Sequence, residues 1–375
     1  MKLFSSHAFI AGEFVPALIT IENDRITDVD VSGRSADADR VFDSGFLIPG
    51  LLDLQINGFA GVDFSTANRG EIDRAMAALP ATGTTAICPT VITSPWDGIA
   101  DQLKTLSSDT HGLRAARNLG AHLEGPFISG AKLGAHDPDL LARPDQLAEL
   151  EIDLSLVRIM TLAPELPGAI ELIRKASRAG CLVSVGHTSA SYTESMRAFD
   201  AGAKMATHLF NGMSPLHHRE IGTVGAVLSD LRTNFSLIVD GEHVAYELLA
   251  MVLRLAGDRA IVVSDASAAL FATPGSKLTL GGADLVVDSQ GSAKRPDGTL
   301  ASSGMTQLEA IEKAVNHGLS RTQLLASATA IPAKLLGRSD LGEIKVGALA
   351  DLVHYSVEQG PRVDLVLVGG EPCLA

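Results

Sequence analysis

From residue 49 to residue 337, short apolar runs alternate with segments in which apolar positions recur every three or four residues. The runs are LLDLQI, TTAICPTV, NLGAHLE, SLVRIMTL, LVSVGH, KMATH, NFSLIVDG and AIVVSDA. Each is short and apolar nearly throughout, as strands buried on both faces are. The intervening EIDRAMAAL, SPWDGIADQLKTL, GAIELIRKASRAG, SYTESMRAFDAG and AYELLAMVLRLAG carry the helical period. Eight strands alternating with helices predict an α/β protein built as a (β/α)8 TIM barrel. The rival is an open doubly wound sheet. No G-x-G-x-x-G turn follows any of these strands, so that fold lacks its usual nucleotide signature.

The two chain ends read differently. HAFIAGEFV, ALITIENDRITDV and VFDSGFLIP at the start, and LGEIKVGALADLVHYSV and RVDLVLVGGEPCL at the finish, are β-like runs around Gly and Asn-Asp turns. Residues 1–48 and 338–375 are therefore expected to pair into one small, discontinuous β-sandwich domain beside a barrel domain of residues 49–337. Two helices, MTQLEAIEKAVNHG and SRTQLLASATAIPAKLLG, would lead from the barrel back to it. The stretch GGADLVVDSQGSAKRPDGTLASSG is too rich in turns for a barrel wall and reads as a hairpin or lid over the site.

Five of the apolar runs end in a side chain able to bind metal or move a proton: Gln55, Glu124, His187, His208 and Asp265. In a parallel barrel such positions converge on the C-terminal rim, where barrel enzymes carry their active sites. Glu124, His187 and His208 are one carboxylate and two imidazoles from three strands, a donor set suited to Zn²⁺ or Fe²⁺ with a position left for water. Asp265 beside such a site would take a proton from that water; its other reading is a helix N-cap. His136, in the loop KLGAHDP, and His243, in VDGEHV, could polarise a carbonyl, bind an anion, or simply be solvated. His217, His218 and Arg219 form either a phosphate-binding cluster or an ordinary charged loop. Cys88 lies within an apolar run with no partner base and reads as core.

Composition narrows the partners. Thirty Lys+Arg against 44 Asp+Glu give a net charge of −14, which argues against nucleic acid or anionic membrane as a partner. Three widely spaced cysteines are no disulfide framework and suit a reducing compartment. With no signal-like start and no apolar run near membrane-spanning length, a cytoplasmic protein is expected.

HLEGPF, GHTSA, THLFNGMSP, VDGEHV, VSDA, DGTLASS and GEIKVGALADLV stand in the order found in one family. From residue 49 to residue 351 the chain resembles the N-acetylglucosamine-6-phosphate deacetylases of the amidohydrolase superfamily. The resemblance implies hydrolysis of N-acetyl-D-glucosamine 6-phosphate to D-glucosamine 6-phosphate and acetate, in amino-sugar catabolism and cell-wall recycling. It implies Glu124, His187 and His208 as metal ligands and Asp265 as general base, then acid, with His136 polarising the acetyl oxygen. It implies substrate contacts from Ala135, His136, Asn211, Gly212, Arg219, His243, Leu300, Ala301 and Ser302. Arg219 would hold the phosphate across a homodimer interface, near His243.

Two departures matter. Gln55 and Asn57 in DLQING stand where the superfamily commonly has a His-x-His pair, so one divalent metal is expected, Zn²⁺ before Fe²⁺, with Gln55 near it and not a direct ligand. Gly212 replaces the family's usual Ala. The alternatives are another amidohydrolase, such as a cyclic-amide hydrolase, or a non-catalytic sugar-phosphate regulator. The fourth strand lacks the lysine that would bridge two metals in the first, and the retained ligands and Asp265 speak against the second.

Overall fold

A computed structural model of the chain describes residues 1–107 and 114–373. Eight parallel strands form the barrel: Leu51–Ile56, Thr84–Ile92, Ala121–Glu124, Val157–Leu162, Leu182–Val185, Met205–Ala206, Asn234–Leu237 and Ala260–Val262. Each pairs in parallel with the next. Just past the last strand, Asp265 N–H donates to the Gln55 carbonyl at 3.0 Å and Asn57 N–H to that of Ala266 at 2.7 Å, joining the eighth strand's exit to the first's. The predicted barrel is therefore present, and the seam where it closes runs through two of the candidate site residues.

The strands are apolar without alternation because both faces are covered: every residue of Leu51–Ile56 and Thr84–Ile92 is buried. The helices bury one stripe each. In Ala169–Arg178, Leu172, Ile173 and Ala176 face the core while Arg174, Lys175 and Arg178 face solvent. Each such buried leucine or isoleucine stabilises the contact by about 1.5–3 kcal/mol. Asn68, Ser191 and Thr306 start their helices with capping boxes, each closed by a glutamate three residues on.

One helix has no counterpart in the sequence pattern. Gly222–Ser229 is almost wholly buried, so it has no polar face, and periodicity cannot separate it from a loop. The segment expected as a hairpin or lid is a four-stranded antiparallel sheet of Lys277–Leu280, Ala283–Val287, Ala293–Lys294 and Leu300–Ser302. Arg295 fastens it to the loop carrying His136 by donating to the carbonyls of Gly134 and His136 at 3.3 and 3.1 Å.

The chain ends share one hydrogen-bonded sheet. Its order runs Glu371–Pro372, Arg362–Val368, Leu352–Ser356, Phe46–Pro49, Lys2–Ile10, Glu13–Glu22, Arg25–Asp30, with Arg40–Phe42 also against Lys2–Ile10. Leu3, Ile19, Ile26, Leu47, Leu352 and Leu367 form one apolar cluster from both ends. The guanidinium of Arg117, beside the barrel, grips the buried Asp351 carboxylate with two hydrogen bonds of 2.6 and 2.9 Å. Among the described residues, no helix is long and apolar enough to cross a membrane.

Candidate active site

Glu124 ends the third strand, and His187, His208 and Asp265 come just after the fifth, sixth and eighth. His187, His208 and Asp265 all have left-handed backbones, with φ of +46°, +25° and +50°. For residues with a Cβ this costs about 1 kcal/mol or more each, and such strain persists where surrounding structure enforces it, often at functional sites. The turn aims each side chain inward over the mouth of the barrel.

The result is a compact donor cluster. Glu124 Oε1 lies 3.1 Å from His208 Nε2 and 3.3 Å from His187 Nε2, and the two Nε2 atoms are 3.1 Å apart. Donor atoms about 2.0–2.2 Å from one tetrahedral cation would be about 3.3 Å from each other, so this set fits a single divalent metal. The rings are held in the matching state. His187 Nδ1 donates to the Lys132 carbonyl at 2.7 Å and His208 Nδ1 to the Asn211 carbonyl at 3.2 Å. Carbonyls only accept, so each Nδ1 carries hydrogen and each Nε2 is the atom free to exchange a proton for a cation.

Charge follows the same geometry. Burial pushes Glu124 up, but the hydrogen bonds and charges of His187 and His208 outweigh it and hold the carboxylate well below its usual range. Burial pulls His208 down, and the hydrogen bond and charge of Glu124 reverse this and raise it to about 9. The protein groups alone thus balance Glu124 with a proton on His208. Asp265 is raised to about 6 by burial first and by the charge of Glu124 second. It can therefore accept and return a proton near neutrality.

His136 also approaches the cluster, with one ligand atom each of Glu124, His136 and His187 within 4.8 Å of one another. Its chemistry is different. Thr93 N–H donates to His136 Nδ1 at 3.3 Å and the Thr93 hydroxyl lies 2.7 Å from the same nitrogen. Burial, then the charge of His187, lowers its pKa to about 3, so the ring is neutral with its hydrogen on Nε2. That makes His136 a donor, and His208 the better third ligand.

A cavity of about 380 Å³ opens above the cluster. Glu124, Ala135, His136, His187, His208, Asn211, Gly212, His243, Asp265, Leu300 and Ala301 all line it. Ser302 does not: it is fully buried, and its hydroxyl shares a 2.7 Å hydrogen bond with Ser267. Arg219, His217 and His218 lie on an exposed loop and do not line the cavity of their own chain. Gln55 lies beneath the cavity, fully buried, and donates to Glu124 Oε1 at 2.8 Å and Asp265 Oδ1 at 3.3 Å. Gly212 sits at φ +59°, and a Cβ there would come 2.9 Å from His187 Nδ1. At this position the chain's glycine relieves both strain and crowding.

Lys132 escaped the sequence reading. Among the described residues Lys132 is the only lysine or arginine lining the cavity. Its place between HLEGPF and GAH, in a rim loop, was the available signal. Asn57 donates to Asp265 Oδ1 at 2.9 Å, and its own Oδ1 is buried with no protein partner, at a position lining the cavity.

Known proteins resemble this chain over most of its length. Residues 46–373 match the model of the Amidohydrolase family. The chain is 32% identical over 336 residues to the N-acetylgalactosamine-6-phosphate deacetylase of Escherichia coli O157:H7, covering 88% of each chain. It is 36% identical over 362 residues to the human N-acetylglucosamine-6-phosphate deacetylase, covering 90% of this chain and 86% of that one. A solved N-acetyl-D-glucosamine-6-phosphate deacetylase from Mycobacterium smegmatis, an Asp-to-Ala variant holding N-acetyl-D-glucosamine-6-phosphate, superimposes with a TM-score of 0.92 at 32% identity, over 100% of this chain and 99% of that one.

Proposed function

The chain belongs to the amidohydrolase family, and on that premise we propose that it removes the acetyl group from N-acetyl-D-glucosamine 6-phosphate, giving D-glucosamine 6-phosphate and acetate. The observation that carries this reading is the Glu124, His187 and His208 cluster with Asp265 beside it, under a cavity large enough for a sugar phosphate. One divalent cation on the three ligands, Zn²⁺ before Fe²⁺, would supply Lewis acidity and lower the pKa of water toward neutrality.

The chain's own groups do the rest. Gln55 and Asn57 both donate to Asp265 Oδ1, and among the described residues nothing donates to Oδ2. Oδ2 takes the proton of the attacking water and passes it to the amine nitrogen as the C–N bond breaks. His136 Nε2–H donates to the acetyl oxygen, where negative charge develops in the tetrahedral intermediate. His136 remains neutral because its pKa is lowered to about 3, so it stabilises this charge as a donor and does not compete with Asp265 for the proton. His243 and, from a second copy of the chain, Arg219 bind the phosphate. This requires a homodimer. We place the enzyme in the cytoplasm, in amino-sugar catabolism and cell-wall recycling.

The E. coli relative favours a second reading in which N-acetyl-D-galactosamine 6-phosphate is the substrate. Incubating the protein with each sugar phosphate and measuring acetate decides between them. Release from neither would overturn the proposal.

A further inference from the structure

Asp240 follows the seventh strand, three residues before His243, and is 2% exposed. Its carboxylate is fully engaged. Oδ1 accepts the backbone N–H groups of Glu242 and His243, both at 2.9 Å. Oδ2 accepts His243 Nδ1 at 2.7 Å and the Ser303 hydroxyl at 2.9 Å. The Asp240 carbonyl accepts the Tyr246 hydroxyl at 2.8 Å and Lys313 Nζ at 3.0 Å, which fixes the backbone beneath. Burial pushes Asp240 up, but His243 and the two N–H groups outweigh it and hold it well below the usual carboxylate range. It is an acceptor only.

That state dictates what the imidazole can show to the cavity. His243 lines the cavity, and with Nδ1–H committed to Asp240 the one ring nitrogen left for a ligand is Nε2. A neutral ring in this tautomer offers a lone pair there, which repels a phosphate oxygen. A doubly protonated ring offers a charged donor, and in so buried a place it needs a countercharge. Asp240 supplies one at 2.7 Å. We propose that Asp240 is a positioning residue for phosphate recognition, holding His243 with Nε2–H toward the substrate and balancing its charge, with Ser303 locking the pair. Ser303 comes straight after the lid strand Leu300–Ser302, and its N–H donates to the Asp265 carbonyl at 3.2 Å. The lid's exit is therefore tied both to the catalytic carboxylate's backbone and to the phosphate dyad. The inference rests on the reading that the substrate carries a 6-phosphate.

Asp240→Asn separates charge from shape. The two backbone N–H groups keep the amide oxygen at the Oδ1 position, so the NH2 turns toward His243 Nδ1, which must then accept. The ring keeps its place and loses its countercharge. The measurement is kcat and KM of the metal-loaded enzyme on the phosphorylated and unphosphorylated N-acetyl sugars, for the wild type, Asp240→Asn, His243→Gln and the double variant. We expect kcat/KM on the phosphorylated sugar to fall by about 10- to 100-fold in Asp240→Asn, mostly through KM, as for loss of one charge-assisted hydrogen bond. The unphosphorylated sugar should lose far less. In the His243→Gln background Asp240→Asn should add almost nothing, because it acts through that ring. Asp240→Glu, which keeps the charge but displaces the acceptor, should show the same selective loss and serves if the Asn variant does not fold. Equal losses on both sugars, or losses that add in the double variant, overturn the proposal. A wild type indifferent to the phosphate would instead overturn the substrate reading, and this inference with it.

Discussion

Thr207 Oγ1 donates to Gln55 Oε1 at 2.6 Å, across 152 residues of sequence, and so decides which way the amide faces. The opposite side of Gln55 meets Glu124 and Asp265, two carboxylates that only accept when ionised, so the NH2 points to them. A neutral double donor thus joins two groups that like charge would drive apart.

One divalent metal per chain is therefore expected in the fully active protein. Gln55 Oε1 already accepts from Thr207, and an amide is a poor ligand for a hydrolytic metal. Elemental analysis checks this; two equivalents at full activity would contradict it.

Replacing Asp265 by Asn should leave metal and substrate binding largely intact and cut turnover by about 10²–10⁴-fold, the range for a general acid–base. Steady-state kinetics beside a metal titration measures both. Near-normal turnover would reduce Asp265 to a structural turn residue.

Arg219→Ala should lower kcat/KM strongly on the phosphorylated sugar and hardly at all on the unphosphorylated one. Arg219 stands on an exposed loop outside its own cavity, so in the proposed homodimer it would act on the cavity of the second copy. Mixing Arg219→Ala with Asp265→Asn should then restore activity in hybrid dimers that pair an intact Arg219 with an intact Asp265. Failure of such mixing, with dimers demonstrably exchanged, would place the phosphate on Lys132 and His243 alone.

Asp53 gives a pH signature in stability. Burial raises it to about 7, against the lowering effect of the N–H groups of Ser264 and Gln55. The native state then holds this proton more tightly than the unfolded chain, whose aspartates titrate near about 3.9. The resulting stabilisation is full below about pH 4 and is lost as pH rises toward 7, on the order of a few kcal/mol. Asp53→Asn should flatten that slope in denaturant unfolding between pH 5 and pH 8. An unchanged slope would show that Asp53 is ionised in the folded protein.

The barrel was legible because its signals are local. Apolar runs such as TTAICPTV and stripes such as AIELIRKASR follow directly from whether an element is buried on two faces or one. Gly222–Ser229 was not legible, since a helix buried all round has no stripe. The strand exits named Glu124, His187, His208 and Asp265 because inward-aimed polar residues stand out against those runs. Asp240 also ends an apolar run, NFSLIVDG, and Thr93 follows another, but the role of each shows only once an imidazole is laid against it.

By itself the sequence determined the fold class, the metal-binding residue types and the family, because each is written in residue identity and near-neighbour spacing. Tertiary structure decided the chemical state of those residues. Whether His136 donates, which way Gln55 faces and where Asp265 keeps a free oxygen depend on partners 43, 152 and 208 positions away, respectively Thr93, Thr207 and Asn57. A proton's place and an amide's orientation are set by what lies within about 3 Å, and only folding brings those groups to that distance.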